Sequence, residues 1–153
     1  MARLLGVDLG ARRIGLAVSD VTGTLASPLA VQERATDHGA DHAAIVATAR
    51  EEGVARIVVG LPRSLSGAEG PAAQAARAEA DELRAVAGLP VDLHDERLTT
   101  VSATRRLRES RRGRAKRDPV DAAAAAEMLQ SYLDAATGGP HITEDSGRAR
   151  RDR

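Results

Sequence analysis

Leu4-Leu5-Gly6-Val7-Asp8-Leu9-Gly10-Ala11-Arg12-Arg13-Ile14-Gly15-Leu16-Ala17-Val18-Ser19 is the stretch that decides the fold. Residues 3–9 form an apolar run that reads as a buried strand. Residues 10–13 supply the turn. Residues 14–19 return as a second strand, with Ile14, Leu16 and Val18 on one face and Gly15, Ala17 and Ser19 on the other. Inside this hairpin sits Asp8. A buried carboxylate costs several kcal/mol, on the order of its desolvation, unless a hydrogen-bond partner, a cation or a metal ion compensates it. Arg12 and Arg13 are near enough in sequence to be that partner; a bound metal is the other reading.

Downstream, residues 25–31 read as a third strand, placed at an edge by Pro28. Residues 41–52 predict a helix with Ile45, Val46 and Ala49 inward and Gly53 as its stop. Residues 56–61 are a short apolar strand and 63–70 a turn-rich loop. Alanine-rich residues 71–87 form a second helix, stopped by Gly88. Residues 89–96 return as a strand. Thr99 or Thr100 can cap a helix through about residue 107. Residues 110–117 lack apolar periodicity and are expected to be mobile. Asp118 as N-cap and Pro119 as first helical residue open a last helix to about residue 135, ended by Gly138-Gly139-Pro140. The order predicts an α/β fold with a mixed central sheet flanked by helices. Residues 1–136 are expected to form one domain and 137–153 a disordered polar tail.

Composition narrows the chemistry. A chain of 153 residues without cysteine has no disulfides, thiolate zinc sites or cysteine nucleophile. No apolar run approaches the ~18 residues of a membrane span, and Met1-Ala2-Arg3 lacks a signal-peptide pattern. The expectation is a cytoplasmic protein with no membrane partner. Formal net charge is zero, yet nine of the residues from 97 to 117 are basic: Arg97, Arg105, Arg106, Arg108, Arg111, Arg112, Arg114, Lys116 and Arg117. Only Glu109 opposes them. A local field of one sign survives a neutral total, because screening acts over ~8–10 Å. Tyr132 is the sole aromatic residue, so base-stacking platforms are absent and a nucleic acid would be held by its backbone.

Two further acids stand where Asp8 does, at the ends of core elements. Glu96 closes the strand-like run from Val91, and Asp121 lies in the first turn of the last helix. Taken singly, Glu96 reads as a solvated strand end and Asp121 as favourable helix-dipole placement, worth roughly 0.3–1 kcal/mol. Together with Asp8 they suggest a divalent-metal site for phosphodiester chemistry. Asp118 shares a face with Asp121 and is either a fourth ligand or only an N-cap. Arg12, Arg13, Ser64, Ser66 and Gly67 are phosphate-contact candidates, to which Ser19, Thr99 and Thr100 could add hydroxyls. His38, His42, His94 and His141 show no ligand spacing. With Asp37 and Asp41 around them, His38 and His42 read as a solvated helix start, and Asp92 and Asp95 as surface acids.

The run from Gly6 to Asp20 resembles the opening of the YqgF family, also called RuvX, candidate pre-16S ribosomal RNA nucleases related to the RuvC resolvase. Val58-Val59-Gly60-Leu61-Pro62, Asp95-Glu96-Arg97-Leu98-Thr99-Thr100 and residues 120–133 resemble its later motifs, in order, over about residues 3–135. The resemblance implies a ribonuclease-H-like fold, with Asp8, Glu96 and Asp121 as the acidic metal site. It implies cytoplasmic maturation of the 5′ end of 16S ribosomal RNA, with Holliday-junction cleavage as the alternative. Two departures stand out: Arg12 replaces the more usual lysine, and Asp118-Pro119 follows the basic segment.

The expected enzyme is a nuclease using two ions, Mg²⁺ or Mn²⁺, roughly 3.5–4 Å apart. Asp8 would bridge them, and Glu96 and Asp121 would each hold one side. Arg12, Arg13, Ser64, Arg97, Arg105, Arg106, Arg111, Arg112, Arg114, Lys116 and Arg117 would bind a structured precursor RNA or branched DNA. The chain could act as a monomer or a homodimer. Competing readings are an ATP-binding lobe of the actin type and a non-catalytic RNA-binding assembly factor.

Overall fold

A computed structural model describes residues 2–62, 70–96 and 118–138, the last helix being described by backbone alone at 118–121, 137 and 138. The elements run β1 (Leu4–Leu9), β2 (Arg13–Ser19), β3 (Ala26–Glu33), α1 (His38–Glu52), β4 (Arg56–Leu61), α2 (Pro71–Ala87), β5 (Val91–Asp95) and α3 (Asp118–Gly138). They build a five-stranded mixed sheet in the order β3-β2-β1-β4-β5. The first three strands pair antiparallel, and β4 and β5 join in parallel.

The hairpin turn between β1 and β2 is tight because the amide of Gly10 donates to the Arg13 carbonyl at 3.0 Å. A Cβ on Gly10 would stand 2.6 Å from that same oxygen, which leaves room for glycine alone. Beyond it the alternation read from the sequence holds. Leu5, Val7, Ile14 and Leu16 point to one face, where they pack with Ile45, Val46 and Leu83 of α1 and α2. Ala17 and Val58 point to the other, under Ala125, Met128, Leu129 and Leu133 of α3. The sheet is thus covered by two helices on one side and one on the other.

At the β3 edge, the strand runs through Pro28 rather than breaking there. Pro28 pairs with Ala17 next to a register shift between Leu16 and Ala17. Proline has no N–H to give a ladder, and an edge with a bulge requires none from it. Gln130 of α3 then clasps this edge, accepting from the Ala26 amide at 2.9 Å and donating to the Thr24 carbonyl at 2.8 Å.

One helix start departs from expectation. α1 begins at His38, not near residue 41, with Asp37 as N-cap accepting from the Gly39 amide at 3.0 Å. Asp41 and His42 are buried, at 2% and 4% exposure, rather than part of a solvated helix start. The reason is Arg34, which donates to Asp41 at 3.0 Å and to both oxygens of Glu79 at 2.6 and 3.0 Å. Polar side chains that satisfy one another can be buried, and a reading by polarity alone places them outside. Helix α2 matches its expected bounds, with Gly88 in the left-handed region at φ 71°. Helix α3 runs on to Gly138. The expected helix after Thr99, the loop at 63–69 and the tail beyond 138 lie outside the described residues.

Candidate active site at the C-terminal end of the parallel strands

Asp8 projects from β1 onto the α3 face, opposite in alternation to Val7 and Leu9. It is 6% exposed. The register pairs Gly6 with Val58 and Val7 with Val59, so Asp8 stands level with the next residue of β4, Gly60. Glu96 follows the end of β5 and is 1% exposed. Its carboxylate lies directly over Gly60: a Cβ there would collide with Glu96 Oε2 and approach Met128 Cγ at 3.3 Å. Asp8 and Glu96, distant in sequence, therefore share one face at the C-terminal end of β1 and β5, the two strands that flank β4.

Helix α3 crosses that face with its N-terminus toward the same end. Tyr132 donates to Asp92 Oδ2 at 2.7 Å, and Ser131 meets His94 Nε2 at 3.0 Å. Met128 sits by Gly60 and Glu96. Moving up α3 from Tyr132 to Met128 thus follows β5 from Asp92 to Glu96. Asp121 is a further seven residues up, about 10 Å at 1.5 Å per residue. The backbone of Asp121, with that of Asp118, opens the helix at the end where Asp8 and Glu96 stand.

The remaining expected contacts divide. Arg12 is exposed in the hairpin turn. Arg13 is half-buried and 3.4 Å from Glu33. Ser19 does not belong to this end. It is buried at the far end of β2, where its hydroxyl accepts from the Leu4 amide at 2.9 Å and donates to the Asp20 carbonyl at 3.0 Å. Asp92 is no free surface acid, since Arg56 holds it at 2.8 Å as well as Tyr132. Ser64, Ser66, Gly67, Arg97, Thr99, Thr100, Arg105, Arg106, Arg108, Arg111, Arg112, Arg114, Lys116 and Arg117 lie outside the described residues.

Two buried or half-buried polar residues under α3 and on it had no signal of their own in the sequence reading. His94 of β5 meets Ser131 and Tyr132 of α3, on the side of the sheet where Glu96 lies beside Met128. Burial pushes its imidazole below the usual histidine range, against an opposing pull from Asp95. Neutral at pH 7, it packs edge-on to Tyr132 at 5.7 Å. Glu127 is half-buried on α3 and its Oε1 has no hydrogen-bond partner among the described residues. Alternation from Glu96 would have found His94; nothing in the alanine-rich run marked Glu127.

A mixed five-stranded sheet with carboxylates at the C-terminal strand ends and a helix N-terminus above them defines a ribonuclease-H-like protein. Thermus thermophilus RuvC, solved in complex with a Holliday junction substrate, shares this fold with a TM-score of 0.56. The match covers 89% of this chain and 96% of that one at 19% identity. Residues 2–135 match the family RuvX, described as Holliday junction resolvase, and the chain belongs to that family. A protein of Anaeromyxobacter sp. (strain Fw109-5), named as a candidate pre-16S rRNA nuclease, is 50% identical over 86% of this chain and 96% of its own. One of the same name from Myxococcus xanthus is 46% identical over 87% and 88%.

Proposed function

We propose that this chain is a divalent-metal-dependent endonuclease that processes the 5′ end of precursor 16S ribosomal RNA in the cytoplasm. The observation that carries the reading is the pair of buried carboxylates, Asp8 and Glu96, on one face beside the N-terminus of the helix bearing Asp121. The names of relatives up to 50% identical supply the substrate. No helix among the described residues is long and apolar enough to cross a membrane.

The donor set fits a hard cation. Two carboxylates brought together in a buried site repel each other, and oxygen ligands of this kind suit Mg²⁺ or Mn²⁺. Asp8, Glu96 and Asp121 would hold the ions. Bound there, such ions acidify a water nucleophile and neutralise the leaving oxygen of a phosphodiester. The protein's own part is positional. Gly60 leaves the space that Glu96 fills, and α3 presents its positive N-terminal end to the same place. Arg12 and the basic residues from Arg97 to Arg117 would neutralise backbone phosphates. Residues 1–136 act as the catalytic domain.

The experiment is cleavage of a 16S precursor with and without Mn²⁺, with Asp8→Asn as control. Cleavage that needs the ion and vanishes in Asp8→Asn is expected; binding without cleavage in the parent would make the chain an assembly factor. Asp118→Asn should keep most activity, since asparagine also caps helices. A loss equal to that of Asp8→Asn would make Asp118 a ligand. The family's description favours branched DNA as the second substrate, and a four-way junction in the same assay tests it.

A further inference from the structure

On the opposite face of the sheet, α1 and α2 bring a second set of ligand-type side chains together. His38 and His42 lie four residues apart on α1, one turn above the other. Glu79 and Glu82 lie three apart on α2. Glu82 Oε1 is 3.6 Å from His38 Nδ1 and 4.0 Å from His42 Nδ1. His42 Nε2 is 2.9 Å from Glu79 Oε2. His38, His42 and Glu79 can each offer a ligand atom within 4.8 Å of the others.

We propose that this cluster is a metal site separate from the nuclease centre, taking a borderline transition-metal ion of the Zn²⁺ class. Its ligands are His38 Nδ1, His42 Nδ1 and a Glu82 oxygen, with water completing the shell. Glu79 is the positioning residue. Glu79 Oε2 engages His42 Nε2 at 2.9 Å and so turns the Nδ1 edge of the ring toward Glu82. A carboxylate holding the far nitrogen of a histidine ligand is the usual support for such a ring. Bonds of about 2.0–2.1 Å in a tetrahedral shell place ligand atoms roughly 3.4 Å apart. The 3.6 Å separation is close to that, and the 4.0 Å one is wider by about 0.6 Å, which side-chain rotation of the exposed Glu82 can close.

Charge points the same way. Asp41, Glu79 and Glu82 bring three carboxylates to this corner, and Arg34 answers two of them with one guanidinium. An excess of negative charge beside two imidazoles suits a divalent ion. Arg50, eight residues beyond His42 on α1, is about 12 Å along the helix. Entry is open, because His38 and Glu82 are more than half exposed and His42 and Glu82 line a surface cavity of about 420 Å³.

The test uses the full chain carrying Asp8→Asn, stripped of metal, so that the nuclease acids are weakened as competitors. Zn²⁺ is titrated calorimetrically, and Co²⁺ is added as a visible-absorption probe of nitrogen and oxygen coordination. One equivalent of Zn²⁺ should bind and raise Tm, while Mg²⁺ at the same concentration should not. Adding His38→Ala should weaken Zn²⁺ binding at least about tenfold and abolish the Co²⁺ bands. Its metal-free Tm should not move, since His38 is exposed. Glu82→Gln should act likewise. Absence of Zn²⁺ binding in Asp8→Asn, or equal binding after His38→Ala, would overturn the proposal.

Discussion

The carboxylate of Glu96 occupies the volume that a side chain at residue 60 would need. A Cβ on Gly60 collides with Glu96 Oε2. Glycine at this position is therefore a seat for the acid rather than a turn device, since Gly60 lies inside β4. Gly6 offers an internal control. A Cβ there meets Leu129 Cβ at 2.9 Å and touches no acid. Gly60→Ala and Gly6→Ala should each cost about 1–3 kcal/mol from overpacking. Only Gly60→Ala should also lower metal-dependent cleavage well below the parent, assayed at a temperature where all three proteins are folded. Equal activity in the two variants would show that the acid tolerates displacement.

The buried network around Arg34 makes a second prediction. Its Nε donates to the Gly10 carbonyl at 3.0 Å, while its other nitrogens hold Asp41 and Glu79. Removing the guanidinium in Arg34→Ala leaves two buried carboxylates facing each other and should cost about 3–5 kcal/mol at pH 7. The sign of the pH response then reverses. In the parent both acids are depressed, so their contribution is present above their unfolded values near ~4 and is lost as pH falls through the folded ones. In the variant burial raises them, so stability is gained as pH falls and lost as it rises through the raised values. Urea midpoints from pH 4 to 8 for both proteins read this directly; parallel curves would refute it.

Legibility in the sequence followed how local each cause was. The β1–β2 hairpin, β4 and α2 were readable because alternation, glycine stops and Pro71 act within a few residues. The start of α1 was not, because burial of Asp41 and His42 depends on Arg34 from β3 and Glu79 from α2. At the candidate site, Asp8 and Glu96 stood out as acids ending apolar runs. The role of Gly60 did not, because its constraint comes from a side chain beyond the neighbouring strand. Ser19 misled for the matching reason: its hydroxyl is spent on the Leu4 amide across the hairpin.

Asp20 should titrate far below an ordinary aspartate. The Thr22 hydroxyl donates to one of its oxygens at 2.6 Å, and the amides of Leu25 and Thr24 donate to the other at 3.1 and 2.8 Å. Together these donors lower its pKa from 3.8 to about 2. Stability from this turn is thus fully present above 3.8 and lost as pH falls toward about 2. Carboxyl chemical shifts followed by NMR from pH 1.5 to 6 should give that midpoint, and Thr22→Ala should move it upward. A midpoint near 3.8 in the parent would mean the turn is open in solution.

We propose that the arginines between residues 97 and 117 hold substrate by its phosphates. If Arg111, Arg112 and Arg114 contact phosphates, each contributes about −0.9 to the slope of log affinity against log salt on a duplex, and about −0.7 on a single strand. Replacing all three with glutamine should flatten that slope by roughly 2–3 in total. RNA and DNA binding should weaken together, because phosphate contacts carry no sequence information. Thermal stability should stay nearly unchanged. The competing possibility pairs these arginines with surface acids on neighbouring helices. It predicts the reverse pattern, a lower Tm with an unaltered salt slope. Both quantities measured on one triple variant separate the two, since a phosphate contact acts only when nucleic acid is present and an ion pair acts in its absence.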